Sequence, residues 1–161
     1  MTLEEYTLPD ERWKDIDGYE GRYAVSDYGR TWNYRTGAPI AMSKCAPYRI
    51  VNGKKCYYRD ATRQYYAVQL YKNGTSRHMR VHRLVAFAFL DNDDPEHKTV
   101  VDHIDNDPMN NMAINLRWAS PKGNYDNAKS EEQTYTRWLI QRLAAINDNK
   151  ETGIEHDTIR Q

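Results

Sequence analysis

Residues 99–124 constrain the fold more than any other part of the chain. Thr99-Val-Val-Asp102 reads as a short strand, and Asn115-Leu-Arg-Trp118 reads as a second one. A polar loop over 104–114 joins them. Ser120-Pro121 then makes a helix start, because serine can cap the first free N–H groups and proline is tolerated in the first turn. A short helix is predicted to run from there through Asn124. A strand–loop–strand–helix path doubles back on itself and brings Asp102 and Asn124 towards one point, with His103 beside them. Asn127, one turn further along, is a competing amide on the same helix.

These residue types suit one kind of chemistry. An Asp carboxylate and an Asn carbonyl are hard oxygen ligands of the sort that Mg²⁺ or Mn²⁺ prefers, and Mg²⁺ is often held by only one or two protein oxygens plus substrate phosphate. A histidine, with its ordinary pKa near 6.5, can take a proton from water at neutral pH. One metal, one base and a phosphate site make a phosphodiester hydrolase. Asp105-x-Asp107 suggests a calcium loop, but the Gly and the distal Glu that such a loop needs are missing.

Charge is segregated along the chain. The totals balance, 23 Lys plus Arg against 23 Asp plus Glu, yet residues 44–90 hold ten Lys or Arg against Asp60 alone. Residues 91–110 hold seven acids against Lys98. Tyr48, Tyr57, Tyr58, Tyr65, Tyr66 and Tyr71 interleave the basic block. Basic side chains neutralise phosphates and aromatic faces stack on bases or sugars, so this block reads as a nucleic-acid surface. It reads equally as a half-polar sheet whose tyrosines fill a thin core. The length, 161 residues, suits one small domain with at most a short appendage. No window approaches the roughly 18 consecutive apolar residues that a membrane span needs.

Residues 8–35 are rich in Trp, Tyr and Gly, with a strand predicted at Tyr23-Ala-Val25. Residues 37–64 read as irregular strands with a turn at Asn52-Gly53, and 65–81 as a hairpin about Asn73-Gly74, the pair preferred in tight hairpin turns. Leu84, Val85, Ala88 and Phe89 give 82–90 the spacing of a buried helix. Ser130 with Gln133 resembles a capping box, opening a helix over 131–147 with Tyr135, Trp138, Leu139, Leu143 and Ile146 as its stripe. His82 reads as a packed or capping residue and His97 as solvated. Cys45 and Cys56 read as isolated thiols, not as a zinc site with His78 and His82.

Two segments resemble a known family. From His82-Arg-Leu-Val-Ala through Asp102-His103-Ile-Asp to Asn115-Leu-Arg-Trp118 and Asn124, the chain resembles the HNH nucleases of phage and intron homing endonucleases. Glu11-x-Trp-Lys-x-Ile-x-Gly-Tyr-Glu with Tyr23-x-Val-Ser-x-x-Gly-Arg30 resembles the modular motif that often precedes such domains. The fold this implies is α+β: a small ββα-metal (His-Me finger) core with a β-rich DNA-binding extension before it and a C-terminal helix after it. The expected divisions are the N-terminal motif 1–36, a basic β-hairpin region 37–81, the nuclease core 82–130, a helix 131–147 and a polar tail 148–161.

The resemblance also implies roles. His103 would be the general base, Asp102 and Asn124 the ligands of a divalent ion (Mg²⁺ or Mn²⁺), and Asn115 the residue that holds loop and second strand so that His103 is aimed. Double-stranded DNA would be the partner, cut to 5′-phosphate and 3′-hydroxyl ends. A single site of this kind acts on one strand at a time, so nicking is expected. Lys44, Arg49, Lys54, Lys55, Arg59 and Arg63, then Lys72, Arg77 and Arg80, with Arg117 and Lys122 nearer the core, would grip the backbone. No membrane partner and no small-molecule cofactor are expected. Residues 1–6 carry two acids and no apolar run, so no secretory signal is expected. The expected setting is the cytoplasm, the host's if the gene is a phage's. The alternative is a DNA-binding regulatory or anti-defence protein that uses the same fold without cleavage.

Overall fold

Tight turns organise the N-terminal part of the computed structural model, which describes residues 1–46, 48–57 and 64–127, with backbone alone for 48–51 and 55–57. The helix expected over 131–147, the tail 148–161 and residues Arg59 and Arg63 lie outside the described residues. The first element, α1 (Leu3–Tyr6), is one turn closed by a capping box: Thr2 Oγ1 accepts from the Glu5 N–H, and the Glu5 carboxylate accepts from the Thr2 N–H. Four strands follow, β1 (Trp13–Asp15), β2 (Tyr23–Ser26), β3 (Thr31–Asn33) and β4 (Ala38–Pro39), as an antiparallel meander in chain order. Every residue of β2 is buried, so this strand carries the core. Trp32 of β3 is buried under Tyr6, their ring centres 5.1 Å apart, and the Arg30 guanidinium lies 3.7 Å over the Tyr6 ring.

The basic region forms two sheets. Strands β6 (Tyr48–Val51) and β7 (Lys54–Tyr57) pair about Asn52-Gly53. Strand β5 (Ser43–Cys45) joins the hairpin of β8 (Tyr65–Lys72) and β9 (Thr75–Arg80) in the order β5-β8-β9. Both hairpin turns have positive φ at both central residues, 50° and 75° at Asn52-Gly53 and 51° and 75° at Asn73-Gly74. Asn and Gly tolerate that conformation at little cost, which is why this pair sets the hairpin.

Helix α2 (Val81–Phe89) follows β9 directly and is the hub of the fold. Its Val81, Leu84 and Val85 join Ile16, Tyr19, Tyr23 and Val25 of the N-terminal unit, Val68 and Leu70 of β8, and Leu116 in one buried cluster. Each large aliphatic buried there contributes about 1.5–3 kcal/mol relative to exposure. Beyond it come β10 (Val100–His103), a 3-10 turn over Ala113–Asn115, β11 (Leu116–Ala119) and α3 (Pro121–Asn127). β10 and β11 are antiparallel, with Asp102 opposite Arg117 and His103 opposite Leu116. Helix α3 extends to Asn127, beyond the predicted stop at Asn124. The architecture is mixed α/β, and no helix among the described residues is long and apolar enough to cross a membrane.

Candidate active site

Asp102 and His103 close strand β10 and are almost fully buried, at 2% and 7% exposure. The His103 ring meets Asn111, whose Oδ1 lies 3.4 Å from Nε2. It packs edge-on against His82, ring centres 5.0 Å apart, with Tyr65 at 6.2 Å. Burial pushes the His103 pKa below its ordinary value, and outweighs the opposing pull of the Asn111 hydrogen bond and of Asp105, Asp102 and Asp107. The ring is therefore neutral at pH 7. His82 is pushed down further, to about 3, by burial first and then by the charges of His103, Arg80 and Arg83. His82 Nδ1 is buried with no hydrogen-bond partner among the described residues.

The loop after β10 is held by its own Asp and Asn side chains. Asn115, fully buried, accepts the Asp105 N–H at 3.1 Å and donates through Nδ2 to Asp105 Oδ1 and the Asn110 carbonyl, both at 2.9 Å. Asp105 in turn accepts from the Asp107 N–H and from Asn110 Nδ2, each at 2.8 Å. The Asn115 carbonyl accepts from the Ile104 N–H at 2.8 Å, which ties the loop back to the end of β10. Asn115 thus fixes the loop, while the residue that touches the His103 ring nitrogen is Asn111. His82 is packed, as expected, and its neighbour is the His103 ring; Asp105 serves the loop and not an ion, and Asn111 is a site neighbour that the sequence did not single out. The run of Asp and Asn across 105–111 was the available signal, since each such side chain can bond the backbone just ahead of it.

Among the described residues, Asp102 has two side-chain partners. Its Oδ2 accepts Nε and a terminal guanidinium nitrogen of Arg117, both at 2.9 Å. Its Oδ1 lies 3.2 Å from Asn127 Nδ2, which also reaches the His103 carbonyl at 3.3 Å. The amide that meets Asp102 is therefore that of Asn127. Asn124 sits one turn earlier on α3, and among the described residues its side chain has no hydrogen-bond partner. No three His, Cys, Asp or Glu side chains among the described residues gather into a group that would hold an ion unaided. A carboxylate and neighbouring amides remain, a donor set that fits a hard divalent cation completed by substrate oxygens and does not fit zinc.

The basic residues take several roles. Lys44, Lys54, Arg77 and Lys122 are exposed. Arg49 and Lys55 lie on the β6–β7 pair. The Lys72 ammonium donates to the Gly18 carbonyl, stapling the hairpin to the N-terminal unit. The Arg80 guanidinium lies 4.9 Å over the Tyr65 ring, close to the histidine pair. Arg117, half-exposed, has its fork on Asp102.

The NUMOD4 motif matches residues 11–71. The DNA endonuclease I-HmuI of Bacillus phage SP01 is 35% identical over 138 residues, 86% of this chain and 68% of the phage protein. An uncharacterized HNH endonuclease of Acanthamoeba polyphaga mimivirus is 32% identical over 155 residues, 95% of this chain but 34% of that longer protein. A solved structure, of DNA binding and cleavage by the HNH homing endonuclease I-HmuI, superposes with a TM-score of 0.57 at 31% identity, covering 83% of this chain and 68% of that one. At 35% identity across 68% of the phage enzyme, and with a NUMOD4 motif ahead of the histidine site, this chain belongs to the HNH endonuclease family.

Proposed function

We propose that this protein is a divalent-metal-dependent endonuclease that nicks double-stranded DNA, with His103 as general base. The observation that carries the reading is a buried, neutral histidine next to a buried carboxylate at one strand end, with its Nε2 engaged by Asn111. An amide oxygen can only accept, so Nε2 carries the proton and Nδ1 keeps the lone pair. His103 takes a proton from water through Nδ1, and the resulting hydroxide attacks phosphorus as the bond to the 3′ oxygen breaks. The leaving 3′ oxygen takes up a proton from solvent, which gives 5′-phosphate and 3′-hydroxyl ends. Asp102 and Asn124 would hold Mg²⁺ or Mn²⁺, with Asn127 holding Asp102 in place. When bound, the ion supplies charge stabilisation for the leaving oxygen and the scissile phosphate. Asn115 keeps the loop folded behind the base.

The N-terminal motif over 1–36 and the basic region 37–81 grip the duplex backbone, and 82–130 cut it. The cytoplasm of the cell holding the target DNA is the setting. Supercoiled plasmid incubated with Mg²⁺ or Mn²⁺ should convert to the nicked form and should not with EDTA. His103→Ala should slow conversion by about 10²–10⁴-fold, the usual worth of a general base. Cleavage by the variant at the parent rate removes His103 from this role. DNA retention without cleavage under any metal favours a binding protein instead.

A further inference from the structure

We infer that the N-terminal unit is a working part of the nuclease centre: its β2–β3 turn clamps Asn111, and Asn111 is a positioning residue that fixes the His103 ring with Nε2 protonated. This rests on the reading of His103 as the base. The turn over 26–30 is rigid. Ser26 Oγ accepts from the N–H groups of Tyr28 and Arg30, and the Gly29 N–H donates to the Ser26 carbonyl at 3.0 Å. The buried Asp27 carboxylate takes the Arg12 N–H and Nε at 2.9 and 2.8 Å.

Two contacts carry that rigidity to the catalytic loop. The Asp27 carbonyl accepts the Ala113 N–H at 2.7 Å. Gly29, at φ +80°, lies flat on Asn111, so that a Cβ there would come within 2.8 Å of Asn111 Cβ and 3.1 Å of its carbonyl oxygen. Asn111 itself is buried, and its Nδ2 donates to the Met109 carbonyl at 3.2 Å, which leaves Oδ1 turned to His103. Anchored through Ala113 and covered by Gly29, the Asn111 backbone and Cβ are held in place, and the Met109 and His103 contacts orient the amide. The glycine is needed here for space as well as for backbone freedom. Gly21 supplies the contrast: its φ is +67°, yet nothing lies within 4 Å of a Cβ added to it.

The test compares full-length variants by nicking rate, by DNA affinity in EDTA, and by ring-nitrogen NMR of His103 at neutral pH without metal. Asn111→Leu should lower the nicking rate by roughly tenfold or more, the usual effect of losing a residue that orients a site imidazole. DNA affinity should hold, and the Nε2–H signature should give way to mixed tautomers. Asn111→Asp, which keeps an oxygen acceptor, should recover part of the rate. Gly29→Ala should show the same loss of rate and signature, while Gly21→Ala, also at positive φ but with open space around an added Cβ, should keep the Nε2–H signature. Parent-like nicking and an unchanged Nε2–H signature in Asn111→Leu overturn the inference, as do equal losses of that signature in the two glycine variants. Should the parent itself fail to cut, the functional reading fails alone, because the ring-nitrogen spectra need no turnover. Cleavage abolished by His103→Ala but untouched by Asn111→Leu sinks this inference and leaves the base in place.

Discussion

His82 shows how a single buried side chain sets a condition on the whole fold. In the folded protein it titrates at about 3, while in the unfolded chain it returns to an ordinary value near 6.5. Between those values the unfolded state binds a proton that the folded state refuses. Stability must therefore fall as pH drops through this window, by as much as about 1.4 kcal/mol per pH unit from this residue. His103 is depressed in the same direction. His82→Phe keeps the ring packed against His103 and removes only its own proton. The urea midpoint of the parent should therefore drop more steeply than that of the variant on acidification from neutral pH, and parallel slopes would refute the assignment. At this scale the sequence exposed Asp102-His103 because they are adjacent and end a strand. It hid Asn111, because which of several loop asparagines faces the imidazole depends on where a turn some eighty residues earlier comes to rest.

The elements were legible wherever a local rule decides. Asn73-Gly74 fixes its hairpin through two positive φ values, and the spacing of Leu84, Val85, Ala88 and Phe89 gives α2. The three-residue strand β5 was not legible, because it exists only through pairing with β8 across the intervening β6–β7 segment. The loop over 104–114 is an intermediate case: its polarity was plain, its rigidity was not. That rigidity is measurable. Asn115→Ala strips the buried Asp105 N–H of its acceptor, takes a donor from the half-buried Asn110 carbonyl, and leaves Asp105 Oδ1 with the Asp107 N–H alone. The cost should be about 3 kcal/mol in a urea titration, given the penalty for several polar groups stranded together. A loss below about 1 kcal/mol would mean that the loop relaxes and the network matters little.

On the scale of the whole molecule, a chain with no net charge presents a basic stretch next to an acidic one. DNA affinity should fall linearly in log–log form with salt, by roughly 0.9 for each phosphate neutralised. Arg77 is exposed on β9, and Arg77→Ala should flatten that slope by about one phosphate while leaving the cleavage rate of bound DNA intact. An unaltered slope would move the DNA away from β9. The shared core carries a consequence for anyone who would rebuild this protein. Ile16, Tyr19, Tyr23 and Val25 lie in the same apolar cluster as Val81, Leu84 and Val85. The front segment is therefore no interchangeable cassette hung on a string: grafting a different module in its place would mean re-tailoring the flank of the helix it leans on, or leaving that flank bare to water.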